Sequence, residues 1–466
     1  MGLGLFLAIA LTKGDVKPAL VWEKTLAPGL IYRMEVDPNL PRTVNAVRLS
    51  PGSPSLRWSP ELAGKTINED GGVKGRRTPT AMAADSNAIV AVNGDFFTYT
   101  QGAPIGQFIR AGELITTPAK PRAVFGWGPK DAKLGFANAA AFATIEGSDE
   151  FKLEALNQPV SPNGVALYTP AEGELSPPKD NVLIVLKVPE SSFSPSSTSM
   201  ATVESIVSDS ARTVVPAGHA YLVASGSKVP LLAGLRMGDR VKLRLKTDGF
   251  DWEKYENEIG GGPFLVKDGA MAVDGVQEGF NADFLGRHPR TAIGKTADGD
   301  IWIVTVDGRQ ACSVGATLEE LAKLMIRLGC TEAMNLDGGG STALNIFGLT
   351  VSRPSDGVER PVASGILVFG PHPTVIDGKL KLAVGKQADG MLLVTAKRDG
   401  HPVDNMNILW SGRGAAWIDQ GGALHPVHAG KATVTATIDG QTVTLEVKVP
   451  GPVIADPKKI LAADRG

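Results

Sequence analysis

Three times in this chain an apolar run stops at a carboxylate beside glycine. Asn93-Gly94-Asp95 follows Ile-Val-Ala-Val. Asp307-Gly308-Arg309 follows Ile-Trp-Ile-Val-Thr-Val. Asp337-Gly338-Gly339-Gly340 follows Glu-Ala-Met-Asn-Leu, with the hydroxyls of Ser341 and Thr342 next. A carboxylate held at a strand end can serve as nucleophile, base or ligand, and glycine beside it lets a substrate approach the main chain. Successive N–H groups in such a turn also cradle anions. Arg290 and Arg309 bring guanidinium forks that suit phosphate oxygens, and His288 is a candidate proton donor. Each residue has an ordinary reading as well. Asp-Gly marks turns, Asn-Gly marks hairpins, arginines pair at surfaces, and histidines bond to backbone.

The elements around these residues favour the chemical reading. Ile301 to Val306 is apolar on both faces, as in a strand buried between layers. Thr317 with Glu320 forms a capping box. Leu318, Leu321, Ala322, Met325 and Leu328 then recur at helical spacing, and Gly329 suits the position after the helix. The next strand runs into Asp337. Strand, helix, strand predicts two parallel strands with a right-handed crossover. That puts Asp307 and Asp337 at one sheet edge, about 5 Å apart if the strands are adjacent and about 10 Å with one strand between. Thr78-Pro79 starts a short helix that leads into the Asp95 strand.

The chain has 466 residues and net charge −2, with 55 glycines and 32 prolines, so it holds several cores and no basic field for nucleic acid. The texture is globular and rich in strands and turns. Cys312 and Cys330 flank a helix about 18 Å long, too far apart for a disulfide, and read as inert buried thiols. The apolar stretch Gly2 to Leu11 is too short to span a bilayer and resembles the core of an export signal. No integral membrane segment and no zinc, Walker or Gly-x-Ser-x-Gly pattern is found.

The organisation read from these signals has a signal-like start over 1–20 and a main domain over 21–371. That domain holds an inserted β-rich region over about 140–250. A small β-sandwich follows over 372–450, then a tail over 451–466. The fold class is mixed α+β: a mixed β-sheet core with packed helices, the additional β-rich region and the sandwich. Every candidate residue precedes Pro371, so the sandwich is expected to be dispensable for chemistry.

Several motifs resemble the phosphodiester glycosidase family: NGDFF (93–97), GGGPFLVKDG (260–269), RTAIG (290–294), DGR (307–309) and NLDGGGST (335–342). VERPVASGILVF (358–369) resembles its closing strand and brings in Arg360. The sandwich resembles bacterial immunoglobulin-like repeats and is where a cell-wall association would sit. The resemblance implies a glycan or sugar-phosphodiester substrate, hydrolysis of a glycosidic C–O bond, and a secreted or cell-envelope setting. Asp337 is the expected nucleophile or base, with Asp95 and Asp307 as partner carboxylates. Asn93 and Thr291 are assigned to the sugar. Arg290, Arg309 and the amides of Gly338, Gly339 and Gly340 are assigned to phosphate, with Ser341, His288 and Arg360 completing the site.

No cofactor is required by this chemistry. Two other readings use the same residues. In a metal-dependent phosphodiesterase the three aspartates would hold calcium or magnesium. A glycan-binding protein without catalysis would use the same polar loops.

Overall fold

The computed structural model describes residues 20–37, 40–69, 73–98, 102–129, 131–190, 192–249 and 254–450. The export-like stretch and the tail lie outside them. Sheets dominate. The helices are short or few: Pro79–Ser86, Ala282–Leu285, Leu318–Arg327 and some single turns. The fold is therefore mostly β: the expected sheet core and additional β-rich region are present, with less helix than the α+β label implies.

One sheet runs in the order Leu20–Ala27, Leu30–Asp37, Arg42–Leu49, Ile301–Val306, Arg290–Thr296, Cys330–Asn335, Phe264–Lys267, Ala270–Met271. Ile301–Val306 is buried throughout. Ile301 and Ile303 enter a core shared with Leu30, Tyr32 and Leu49. Trp302, Val304 and Val306 pack instead with Leu318, Leu321, Ala322 and Met325 of the helix. That helix is capped as its sequence predicts: Thr317 accepts from the Glu320 amide and Glu320 from the Thr317 amide. Ile301–Val306 and Cys330–Asn335 do run in the same direction, but Arg290–Thr296 lies between them, antiparallel to both. The sheet is antiparallel because the turn at Gly299 folds Arg290–Thr296 back on Ile301–Val306 before the helix begins.

A second sheet, in the order Leu349–Thr350, Leu344–Ile346, Val90–Asn93, Ser364–Phe369, Arg57–Leu62, packs on the same core through Val90, Val92, Leu344, Ile366 and Val368. The N-cap Thr78 and first-turn Pro79 open the helix ahead of Val90–Asn93 as expected. The region of 140–250 grows from a long antiparallel sheet whose 14-residue strand Ala132–Ile145 pairs with both Arg122–Trp127 and Arg240–Asp248. C-terminal residues form two small sheets, one built on Leu380–Lys386 and Leu392–Arg398 and one on Ile408–Gly414, Gly430–Ile438 and Gln441–Val449. They share a core of Val394, Trp410, Ile418, Val434 and Ile438. Both cysteines are buried and unbridged, as their spacing predicts. No helix among the described residues is long and apolar enough to cross a membrane.

Candidate active site

The two main sheets meet at one end, and there the turns after Val90–Asn93 and Cys330–Asn335 interlock. The Asp337 amide donates to the Gly94 carbonyl at 3.1 Å. Asn93, fully buried, donates from Nδ2 to the Asp337 carbonyl at 2.7 Å. Its Oδ1 accepts from Thr291 Oγ1 at 2.8 Å and from the Ala343 amide at 3.2 Å. These bonds join strand ends from both sheets and bring together the turns that carry Asp95 and Asp337. Asn93 and Thr291 are thereby braces between the sheets, with their polar atoms turned to protein.

Asp95 is buried to 1% exposure. Its Oδ1 accepts from the Phe96 amide and its Oδ2 from the Gly106 amide, each at 2.7 Å. Burial raises its pKa against the pull of Arg122 and those two amides. Space around it depends on glycine: a Cβ on Gly106 or Gly260 would come within 2.5 or 2.8 Å of Asp95 Oδ2. Asp337 keeps part of its surface open, while its Oδ1 accepts from the Gly338 amide at 2.8 Å. Burial pushes its carboxyl up to about 6; Asp95 adds to the rise, and Ser341, Gly338 and Arg360 oppose it. Like charges that feel each other and differ in exposure can take different roles.

The glycine turn works differently from its sequence reading. The Gly338 amide is committed to Asp337, and the Gly339 amide to the Pro289 carbonyl at 2.9 Å. What the missing Cβ atoms provide is room for two arginines. Gly339, at φ 60, lies under Arg309, where a Cβ would be 3.2 Å from Nη2. A Cβ on Gly340 would meet Arg360 Nη2 at 1.9 Å. Arg360 is braced by Asp356 Oδ2, 3.0 Å from Nε and 2.6 Å from Nη2. Arg309 is exposed and donates from Nη2 to His288 Nδ1 at 3.1 Å. A guanidinium only donates, so that Nδ1 is bare and Nε2–H donates to the Asp283 carbonyl at 2.7 Å. His288 thus orients an arginine and is not a proton donor in this arrangement.

Two expected site residues point elsewhere. Arg290 is buried at 1% exposure. It donates from Nε to Ala316 O at 3.1 Å and from Nη2 to the carbonyls of Phe284 and Gly286. Nε and Nη2 of its guanidinium thereby close the loop over 284–286. Burial and then the nearby charge of Arg309 lower its pKa to about 10. Asp307 does sit at the same sheet edge as Asp337, but its carboxyl turns away. Oδ1 accepts from the Arg353 amide at 2.9 Å, beside Arg353 and Arg413. The three aspartates are not one ligand set: among the described residues no three His, Cys, Asp or Glu side chains converge on a metal position.

Asp307 has a measurable signature. Burial pushes its carboxyl up to about 7, with Arg353 and Arg413 opposing. The native state therefore holds a proton that the unfolded chain releases near pH 4. This contribution is complete below pH 4 and lost as pH rises through 7, by on the order of 4 kcal/mol. Thermal melts should bring wild type and Asp307→Asn together only near pH 4, with the variant's Tm increasingly the higher as pH rises to 8. Parallel pH curves would contradict the assignment.

Sequence reading missed the wall beside Asp95. Phe280 stacks on Phe284 with ring centroids 4.5 Å apart, and Phe96 sits edge-on to Phe284 at 5.7 Å. Arg122 lies over Phe96 and Phe280, and Arg290 over Phe284. This ladder pins the 280–286 loop against the Asp95 turn. Nothing local in the sequence marks it, because Arg122 is far from the rest in the chain. A cleft of about 540 Å³ lies away from these carboxylates, between Val36, Pro41 and Cys312 on one side and Met391, Trp417 and His425 on the other.

Residues 188–369 match the profile of the phosphodiester glycosidase family, a span that includes Arg309, Asp337 and Arg360. Over 115 residues, 25% of this chain, it is 38% identical to an uncharacterized SPbeta-prophage-derived protein of Bacillus subtilis, covering 18% of that protein. Over 105 residues, 19% of this chain, it is 32% identical to human N-acetylglucosamine-1-phosphodiester alpha-N-acetylglucosaminidase, covering 20% of that enzyme. The chain thus spans about a fifth of the length of these relatives. Two solved structures share the fold. A Synechocystis protein has a TM-score of 0.63 at 24% identity, over 77% of this chain and 64% of its own. A Burkholderia pseudomallei protein has a TM-score of 0.58 at 22% identity, over 70% and 74%.

Proposed function

We propose that this chain, which carries a phosphodiester glycosidase domain, hydrolyses the glycosidic C–O bond of a sugar-1-phosphodiester. The substrate is of the N-acetylglucosamine-1-phosphodiester kind, in a cell-envelope or extracellular glycan. One observation carries the reading: two carboxylates on interlocked turns that feel each other's charge, with two arginines lying on the adjoining glycine turn. Phosphate is a good leaving group, so this bond needs charge neutralisation on the phosphate and a carboxylate at the anomeric carbon, with little acid help. Asp337, partly open and ionised above about pH 6, is the nucleophile or base. Asp95, held inward by two amides, supplies the second carboxylate. Arg309 and Arg360 take the phosphate. Arg290, with Nε and Nη2 bonded to backbone carbonyls, is given no phosphate contact here.

Two results test this. If Asp337 must be ionised, kcat/KM rises with pH through about 6 and then levels. A profile flat from pH 5 to 8 would contradict that role. Arg309→Ala should lower kcat/KM for a sugar phosphodiester by about 10²-fold, roughly 2.7 kcal/mol. An uncharged nitrophenyl glycoside should lose only a few-fold. Equal losses on the two substrates would remove Arg309 from the phosphate.

A further inference from the structure

The residues that hold Arg360 in place lie partly in the C-terminal sheets, which the motifs leave outside the site. Arg360 ends a strap that leaves the second sheet after Leu349–Thr350. Its middle, at Asp356, Gly357 and Val358, is exposed, so its course is set by its two ends. At the first end Arg413 donates from Nη2 to the carbonyls of Thr350 and Ser352, at 2.9 and 2.7 Å. Ser411 Oγ donates to the same Thr350 carbonyl at 2.7 Å. Arg353 answers from the strap, donating to Ala416 O at 2.8 Å and Gly414 O at 2.6 Å. Its amide is held by Asp307. At the second end Glu359 accepts from Thr350 Oγ1 at 2.6 Å, and from the amide and hydroxyl of Thr80 at 3.0 and 2.9 Å. Thr350 is common to both ends. A displacement there moves Glu359, and with it the neighbouring Arg360 that packs on Gly340.

We propose that Arg413 is a positioning residue of the active site: from the C-terminal sheets it fixes residues 350–353 and, through Thr350 and Glu359, sets Arg360 over the Gly340 turn. Arg413 does not touch the reacting atoms. Its bonds are charge-assisted and made to backbone carbonyls, the kind that fixes main-chain position most firmly. The C-terminal sheets are then part of the catalytic unit, contrary to the expectation of a dispensable sandwich. The inference rests on the phosphate role given to Arg360, and the test separates the two.

The experiment compares the full chain with Arg413→Ala and the milder Ser411→Ala, which loses one bond to Thr350 and should fold in any case. Hydrogen exchange by mass spectrometry should show peptides over 353–361 exchanging at least tenfold faster in Arg413→Ala, and detectably faster in Ser411→Ala. Peptides over 89–97 should be unchanged. Affinity for inorganic phosphate, by calorimetry, should weaken about tenfold. With a sugar phosphodiester KM should rise by a similar factor while kcat stays within about twofold, a split that general destabilisation would not produce. Wild-type exchange over 353–361 in both variants would overturn the proposal, as would unchanged phosphate affinity with faster exchange. A wild type that binds no phosphate would sink the substrate reading instead, and the exchange rates would still decide the positioning.

Discussion

Replacing Asp337 by asparagine should lower kcat by at least about 10³-fold, roughly 4 kcal/mol of barrier, while inorganic phosphate still binds near wild-type affinity. The substitution suits the local geometry. Asp337 accepts from the Gly338 amide and from the Ser341 hydroxyl, and an asparagine Oδ1 can keep the first of these bonds. What disappears is the charge next to the anomeric carbon, which the phosphate-binding arginines cannot replace. Asp95→Asn is a poorer probe of chemistry. Both of its oxygens accept from backbone amides, so an amide nitrogen would face an N–H donor and the turn would shift. Loss of activity in Asp95→Asn should therefore come with a lowered Tm. Near-normal kcat in a folded Asp337→Asn protein would make the glycine turn structural and remove the centre of this account.

Ending the chain at residue 371 should abolish cooperative folding, not merely weaken polysaccharide attachment. Leu409 belongs to the core that also holds Tyr32, Met34 and Val36. Lys24 reaches from the first strand to the carbonyls of Asn405 and Ile408, buried enough that its pKa falls to about 8. Arg353 loses Gly414 and Ala416. Each lost hydrogen bond to a charged group costs about 1.5–3 kcal/mol, and uncovering apolar core adds to this. A domain's total stability is about 5–15 kcal/mol. Near-UV circular dichroism and a thermal scan decide it. A truncated protein with a sharp transition and wild-type kcat/KM would show that the two parts are independent.

The parts of this site that were legible in the sequence are those fixed by local signals. A hexamer apolar but for Thr305 announced a strand covered on both faces. Thr317 with Glu320, and Thr78 with Pro79, announced two helix starts. Glycine beside a strand-end aspartate, before Asp95 and after Asp337, announced the two turns. What stayed hidden depends on partners far along the chain. The same Asp-Gly signal occurs at Asp307, but its carboxyl turns toward Arg353 and Arg413, and no local pattern encodes that. In sequence Arg290 is as available as Arg360, but the carbonyls of Phe284, Gly286 and Ala316 hold its Nε and Nη2. The strand Ala132–Ile145 is rich in alanine, a weak strand former, and its existence is decided by the strands on either side. Reading strand, helix, strand as a parallel unit had the directions right. It missed the antiparallel strand between, because a preceding hairpin leaves no trace in that pattern.

The most direct test of the central claim, cleavage at carbon and not at phosphorus, is hydrolysis of a sugar-1-phosphodiester in ¹⁸O-labelled water, with mass analysis of both products at early times. The account predicts one heavy oxygen on the released sugar and none on the phosphomonoester. Heavy oxygen on the phosphomonoester would mean that the P–O bond breaks. Asp337 and Asp95 would then have to be given other work.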